Sequence, residues 1–499
     1  MKHKQFLSLL LVLSMLAGNM IGCASGQADE SETNTGAVQE TSAETETQID
    51  PLAAASFVPE NISYDGETFT IIHANGWNYT YDGYIPSPYN EVAPNPDEVL
   101  LGDIIDEAVV KRNTLTEDKL DIKIAAVEKG CFEFHQDIAN SVMANDGAYE
   151  AVCGTVSTVF RSAVDGLIVN LNTIKTLDLT HDWWDQKVKD QYSYGANRDI
   201  LYFINGDINY LDNLGSELVY YNKSLGARYN LETPYDLVRE HKWTFDKMME
   251  MSSGIYQDLD NDGTKSYDDQ YGYAASISVY DRMIPMTGMP LIVPVNDTHY
   301  TVNQSEPFLN AVEHIYEALI NHDSAWFDGG AYQGIFGASR ALFTPTLVSA
   351  ASGFSSMEDD FGMLPLPLYD ESQEMYYSPI NSMYGSAYAV IVTADKDRAG
   401  YVLDVMGSFS PDTLTKAVIE TTCFIKNVQD QDSAEMLQIV FDGAIYPANS
   451  IEDWGDPLGY LNDLFYKQNN AFASTLKRVA KLVEIYSAEE IAILSSPTN

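Results

Sequence analysis

The sequence predicts an α/β protein of two large lobes, each a mixed, mostly parallel sheet flanked by helices. Two observations carry this. Strand-like and helix-like stretches alternate in β-α-β-α-β order between residues 68 and 153, which builds a parallel sheet with helices on its faces. Setting aside an N-terminal leader and a polar segment leaves roughly 440 of the 499 residues, more than one ordinary core holds.

The leader comes first. Lys2, His3 and Lys4 make a basic start, and residues 6–16 are an almost unbroken apolar run. That run is far shorter than the ~20 residues a spanning helix needs. Met20, Ile21 and Gly22 then precede Cys23, so the pattern is a secretory signal over residues 1–22. A cysteine in the first mature position narrows it to a lipoprotein signal. The Cys23 thiol would take a diacylglycerol and its amine a further acyl chain, and two or more chains anchor stably. Residues 23–60 carry Asp29, Glu30, Glu32, Glu40, Glu44 and Glu46 among small polar residues, with no Lys or Arg. Such a stretch cannot bury enough surface to offset its chain entropy, and is expected to be a disordered acidic tether. Lipid and tether together place the body on the extracellular face of the cell membrane.

Within the body, residues 68–73 read as the opening strand. Residues 101–115 have helical spacing, with Ile104, Ile105, Ala108 and Val109 on one face. A strand follows at 121–127, a helix at 133–143 and a strand at 149–153. Another strand is expected at 217–221, and a helix from Thr244, a good N-cap with Asp246 in the first turn. Further helices are expected at 307–320, 398–409, 412–421, 433–441 and 474–493. There is no internal repeat.

Charge and cysteine usage exclude several classes. A formal net charge of -45 argues against nucleic acid, which needs a basic face, and against a bare anionic membrane surface. Beyond Cys23 only Cys131, Cys153 and Cys423 remain, so no disulfide framework supports the fold. Cys153 reads as a buried small hydrophobe, and a Cys131–Cys153 bridge stays open. No zinc-ligand spacing is present.

Tyr220, Tyr221, Asn222 and Lys223, followed by Lys242, Trp243, Thr244, Phe245 and Asp246, resemble the "YNK … TW" stretch of extracellular solute-binding proteins. These are the substrate-capturing lipoproteins of carbohydrate ABC importers (family 1). Residues 149–158, 166–171, 178–184, 360–367 and 387–392 fit the same family in order and spacing. The resemblance runs through most of residues 61–450. It implies the type II periplasmic-binding-protein fold, with ligand in a cleft between the lobes. The implied layout is 61–212 for the first lobe, 213–367 for the second, 368–450 for the return, and 451–499 for C-terminal helices packing across both. Open α/β sheets bind ligands at their strand ends, and binding proteins close about the hinge.

A sugar offers hydroxyls and flat C–H faces, so its cleft wants aromatic platforms and hydrogen-bonding side chains. Trp77 and Tyr79 are the expected platforms. Thr155, Ser157 and Thr158 follow the third strand, while Asn213, Ser216 and Glu217 lie at the crossover. Trp326, Tyr384 and Tyr388 complete the candidates. In maltose-type relatives a Trp follows the stretch matching residues 339–346, and here there is none. Oligosaccharide, monosaccharide and peptide therefore all remain open as ligands.

Residues 258–269 match a calcium-loop pattern: alternating carboxylates, a glycine at the sharp turn and a final acid at the twelfth position. Asp258, Asp260 and Asp262 would give side-chain oxygens, Thr264 its carbonyl, Ser266 a water-mediated contact and Asp269 the closing carboxylate. Aspartate is shorter than the usual glutamate there. The implied calcium is structural.

The expected function is a monomeric, lipid-anchored receptor that captures a carbohydrate and delivers it to an ABC permease. A surface polysaccharide hydrolase and an adhesin or sensor on the same scaffold are the alternatives. No nucleophile elbow, metal-hydrolase helix or phosphate loop is present, so the chain is not expected to be an enzyme.

Overall fold

The computed structural model describes residues 51–75, 91–94, 104–130, 133–195, 197–382, 384–423, 431–448, 452 and 454–496. Cys23, Trp77, Tyr79 and Cys131 lie outside the described residues. The end of the expected tether differs from expectation. Residues 51–60 pack on the body: Ala55 and Val58 are buried, and the Phe57 ring sits 4.9 Å from that of His181 and 5.6 Å from that of Trp183. A few apolar side chains were enough to order a segment whose average composition is polar.

β1 (Glu67–Asn75) opens the first sheet, with Phe69, Ile71 and Ile72 fully buried. The helix Ile104–Leu120 carries the chain over to β2 (Ile122–Gly130), parallel to β1 along its whole length. The helix Phe134–Ala144 ends at Asn145 in the left-handed region, φ 49°, a position asparagine tolerates. β3 (Ala151–Thr155), buried at every position, pairs in parallel with β1 and runs straight into the helix Val156–Val164.

The chain then crosses through the short helix Leu211–Leu214 into β4 (Glu217–Asn222). Thr244 caps the helix Phe245–Ser252, accepting from the Lys247 N–H at 3.2 Å. β5 (Tyr271–Ser276) leads to the helix Tyr280–Met286, then to a hairpin of β6 (Ile292–Asn296) and β7 (His299–Val302). The helix Glu306–Ile320, β8 (Ala325–Asp328), the helix Tyr332–Gly337, β9 (Ala341–Leu347) and β10 (Phe361–Leu364) complete the second lobe. Its sheet order is β10-β4-β9-β5-β8. β4 is antiparallel to both neighbours, so this sheet is less parallel than the sequence pattern suggests.

β11 (Ser378–Pro379) begins the return, and β12 (Ser386–Val390) closes the first sheet as β12-β3-β1-β2, antiparallel to β3. β13 (Ala444–Ile445) pairs with β11. The last helix, Phe472–Leu494, touches both lobes. The Tyr202 hydroxyl donates to the Leu494 carbonyl at 2.8 Å, and the Tyr300 N–H of the hairpin donates to Ser487 Oγ at 2.9 Å. The result is a two-lobed α/β fold. The C-terminal ends of β1–β3 and the start of β12 face the crossover from one side. The start of β4 and the C-terminal ends of β5, β8 and β9 face it from the other.

Candidate ligand cleft and an acidic loop

A small pocket of about 10 Å³, room for about one water, lies where the first sheet meets the crossover. His73, Glu91, Cys153, Thr155, Tyr384 and Ser386 are among the residues lining it. Thr155 is the last residue of β3 and the N-cap of the helix that follows. Its Oγ1 lies 2.8 Å from Thr158 Oγ1 and 3.4 Å from Ser157 Oγ. Three hydroxyls thus gather at a helix start, where backbone N–H groups lack intrahelical partners. Of this group, Thr155 lines the pocket together with Tyr384.

Glu91 is buried at this pocket, and sequence reasoning missed it. Its Oε1 accepts from Cys153 Sγ at 3.1 Å, and its Oε2 accepts from the N–H groups of Tyr210 at 3.0 Å and Leu211 at 3.3 Å. Cys153 is therefore a free, buried thiol, and the bridge to Cys131 left open by the sequence is not formed. Burial, then the Glu91 charge, pushes the thiol well above its usual range. Arg112, fully buried, holds the adjoining backbone. It donates to the carbonyls of Glu91 (2.7 Å), Val92 (3.1 Å) and Ile208 (3.0 Å), and makes no carboxylate contact among the described residues. His73 Nε2 makes no hydrogen bond among the described residues and lies 3.9 Å from Glu128 Oε2, and burial lowers this imidazole's pKa. Tyr388 is wholly buried behind the pocket, its hydroxyl 3.5 Å from the Glu91 carbonyl.

Asn213 sits half-buried on the crossover helix beside Asp212, whose carboxylate accepts from the Asn213 N–H at 2.8 Å. Burial, then Glu91, pushes Asp212 well above the usual carboxylate range. Glu217 departs from the expectation of a free ligand contact. Both its oxygens are taken by Arg282, with Nε at 2.9 Å and Nη2 at 3.1 Å, in a pair that is buried on both sides. Trp326 also departs from expectation. Its Nε1 donates to Asp328 Oδ2 at 2.7 Å and its ring packs 5.4 Å from Tyr271, so it serves lobe packing rather than the pocket.

The acidic loop folds much as its pattern implies. Asp258, Asp260 and Asp262 each offer an oxygen within 4.8 Å of the others. Asp258 Oδ2 accepts from the Gly263 N–H at 2.9 Å, Asp260 Oδ1 from that of Asp262 at 3.1 Å and Asp262 Oδ1 from that of Thr264 at 2.6 Å. Gly263 has φ 79°, which makes the sharp turn possible. Asp269 stands apart from this trio. It is fully buried, and its carboxylate accepts from the Leu259 N–H (3.0 Å), the Ser266 N–H (2.9 Å) and the Tyr256 hydroxyl (3.2 Å). Its backbone ties explain the departure: the shorter arm closes the loop itself.

No protein-family model matches the chain, and no curated protein sequence matches it. Solved structures do match its fold. Mycobacterium tuberculosis UspC superimposes with a TM-score of 0.53 at 13% identity, over 84% of this chain and 100% of UspC. An ABC substrate-binding protein from Listeria monocytogenes in complex with cycloalternan gives 0.51 at 13%, over 84% and 98%. Mycobacterium tuberculosis UgpB in complex with glycerophosphocholine gives 0.51 at 14%, over 77% and 96%. At these identities the likeness is one of fold: the chain has the two-lobed architecture of ABC solute-binding proteins, as the resemblance implied.

Proposed function

We propose that this chain is the ligand-capturing receptor of an ABC importer, held outside the membrane by lipid on Cys23. Its ligand is a carbohydrate, taken in the cleft and passed to the permease by a monomeric receptor. The observation that supports this reading is the two-lobed fold, with the hydroxyls of Thr155, Tyr384 and Ser386 grouped where the first sheet meets the crossover. Hydroxyls of this kind can bond a polyol once the lobes part to admit it, and the neighbours named above include an ABC substrate-binding protein. Among the described residues, no helix is long and apolar enough to cross a membrane, which fits a body carried by an anchor. A flexible leash would keep captured solute near the permease at high local concentration. Calorimetry of the purified body against mono- and oligosaccharides should show binding with the sugar recovered intact. Turnover of the bound sugar would sink the receptor reading.

The acidic loop is proposed to hold a structural calcium through Asp258, Asp260, Asp262 and the Thr264 carbonyl, with Asp269 bracing the loop. Three carboxylates this close repel, and a divalent cation relieves that repulsion. Calcium should raise the melting temperature of the metal-free protein, and Asp260→Asn should remove the rise. An unchanged melt with no metal by mass analysis ends the idea.

A further inference from the structure

We infer that Glu452 is a proton-controlled fastening between the two lobes, closed while its carboxyl carries a proton and loosened when the proton leaves. The fastening belongs to the scaffold and acts whatever solute the cleft takes.

Glu452 lies in the segment that follows β13, and that segment is stitched to both lobes. On the first-lobe side, the Tyr192 hydroxyl donates to the Tyr446 carbonyl at 2.8 Å, and the Tyr194 hydroxyl donates to Glu452 Oε1 at 2.9 Å. On the second-lobe side, the Trp454 ring lies 5.0 Å from that of Tyr300 in β7, while its Nε1 donates to Glu490 of the last helix. Glu452 therefore sits where the first lobe, the hairpin and the last helix meet.

This junction does not favour a charge. Glu452 is 7% exposed. Its donors are neutral, the Tyr194 phenol and its own backbone N–H, and Oε2 has no hydrogen-bond partner among the described residues. The titratable groups that face it are Tyr192 and Tyr194 from the first lobe, Tyr300 from β7 and Glu490 from the last helix. Burial and then the Glu452 charge raise all three phenols. Arg198, the cation that acts on Tyr300, makes no ion pair with Glu452 among the described residues. A buried carboxyl with neutral donors and a second acid for a neighbour is more stable protonated. Burial, opposed by the Tyr194 bond and aided by Glu490, pushes Glu452 up to about 8. Its folded value lies above the ordinary 4.5, so the proton favours the fold: the stabilisation is complete below about pH 4.5 and is lost as pH rises through about 8. The charge that then forms is stranded in the junction, and freeing the segment from Tyr194 returns it to water.

The test compares the wild type with Glu452→Gln, which keeps the shape and cannot ionise. Hydrogen exchange is read with both proteins at the same pH, so that base catalysis of exchange cancels. At about pH 9.5 the amides of residues 444–448 and of β7 should exchange at least about fivefold faster in the wild type, and at about pH 5 the two should match. In denaturation, the unfolding constant of the wild type should grow relative to the variant's by up to about tenfold per pH unit between about pH 5 and 8. Equal exchange at about pH 9.5, or parallel denaturation curves, overturns the inference. Should Glu452→Gln not fold, Tyr194→Phe carries the test. It removes a donor to the charged form, so the loosening should move to higher pH, and an unmoved or lowered midpoint overturns the inference.

Discussion

The acids on the two sides of the cleft are held in opposite ways. On the first-lobe side, Glu91 takes its hydrogen bonds from Cys153, Tyr210 and Leu211, and Asp207 takes one from Thr415 Oγ1 at 2.7 Å. Every one of those donors is neutral. On the second-lobe side, Glu217 is gripped by a guanidinium. The first arrangement satisfies each carboxylate without a salt bridge, while the second pairs it with a cation inside the protein. A buried ion pair contributes little net stability compared with an apolar pair, yet breaking it strands a charge. An acid held by dipoles loses less when one donor goes. The difference teaches that Glu217 is fixed by a single charge partner, whereas Glu91 is fixed by the backbone of the crossover and the thiol of β3.

The largest test of this contrast is Arg282→Ala. It leaves Glu217 buried at 3% exposure with no counter-charge, and should cost about 3–5 kcal/mol in chemical denaturation. Adding Glu217→Gln should recover part of that loss by removing the stranded charge. A loss under about 1 kcal/mol would mean the pair is not structural, and would break the comparison.

A smaller effect is expected from Asp207→Asn. Burial, opposed by the Thr415 bond, pushes Asp207 up to about 6. Its folded value lies above its unfolded one, so protonation favours the fold. The stability it lends is fully present below about pH 4 and is lost as pH rises through about 6. Asparagine escapes that loss. Denaturation curves should show the wild type losing about 2–3 kcal/mol relative to the variant between pH 4 and 7. Parallel curves would mean that the dipoles around Asp207 stabilise its charge fully.

The fold was legible in the sequence where a strand carried its own pattern. The stretches 68–73, 121–127 and 217–221 fall inside β1, β2 and β4 almost residue for residue, and Thr244 caps its helix as its chemistry implies. The β6–β7 hairpin was not legible, because Pro294 and Asn296 interrupt its alternation and its partner is the distant last helix. The same division runs through the site. Thr155 and Ser157 stood out because they follow an apolar run that reads as a strand. Glu91 and Arg282 did not, because their meaning comes from partners remote in sequence: Cys153 and Tyr210 for one, Glu217 for the other. Local pattern identifies elements, but only tertiary contact decides which of 73 acids is buried and what balances it.

The smallest effect separates a hydroxyl that binds ligand from one that only packs. Thr155 is 5% exposed and already close to Thr158 Oγ1, so its own hydrogen bonding is partly met without ligand. Thr155→Val keeps the shape of the side chain and removes only the hydroxyl. If that hydroxyl faces the sugar, the variant should bind the tightest sugar found by calorimetry about 2–10-fold more weakly, the worth of one neutral hydrogen bond at ~0.5–1.5 kcal/mol. Its melting temperature should fall only slightly, because a single neutral hydroxyl contact is lost. Unchanged affinity with a lowered melt would assign the Thr155 hydroxyl to its contact with Thr158. The first lobe's contribution to recognition would then fall to Ser157 and Tyr384, and the contrast between the lobes would narrow to charge alone.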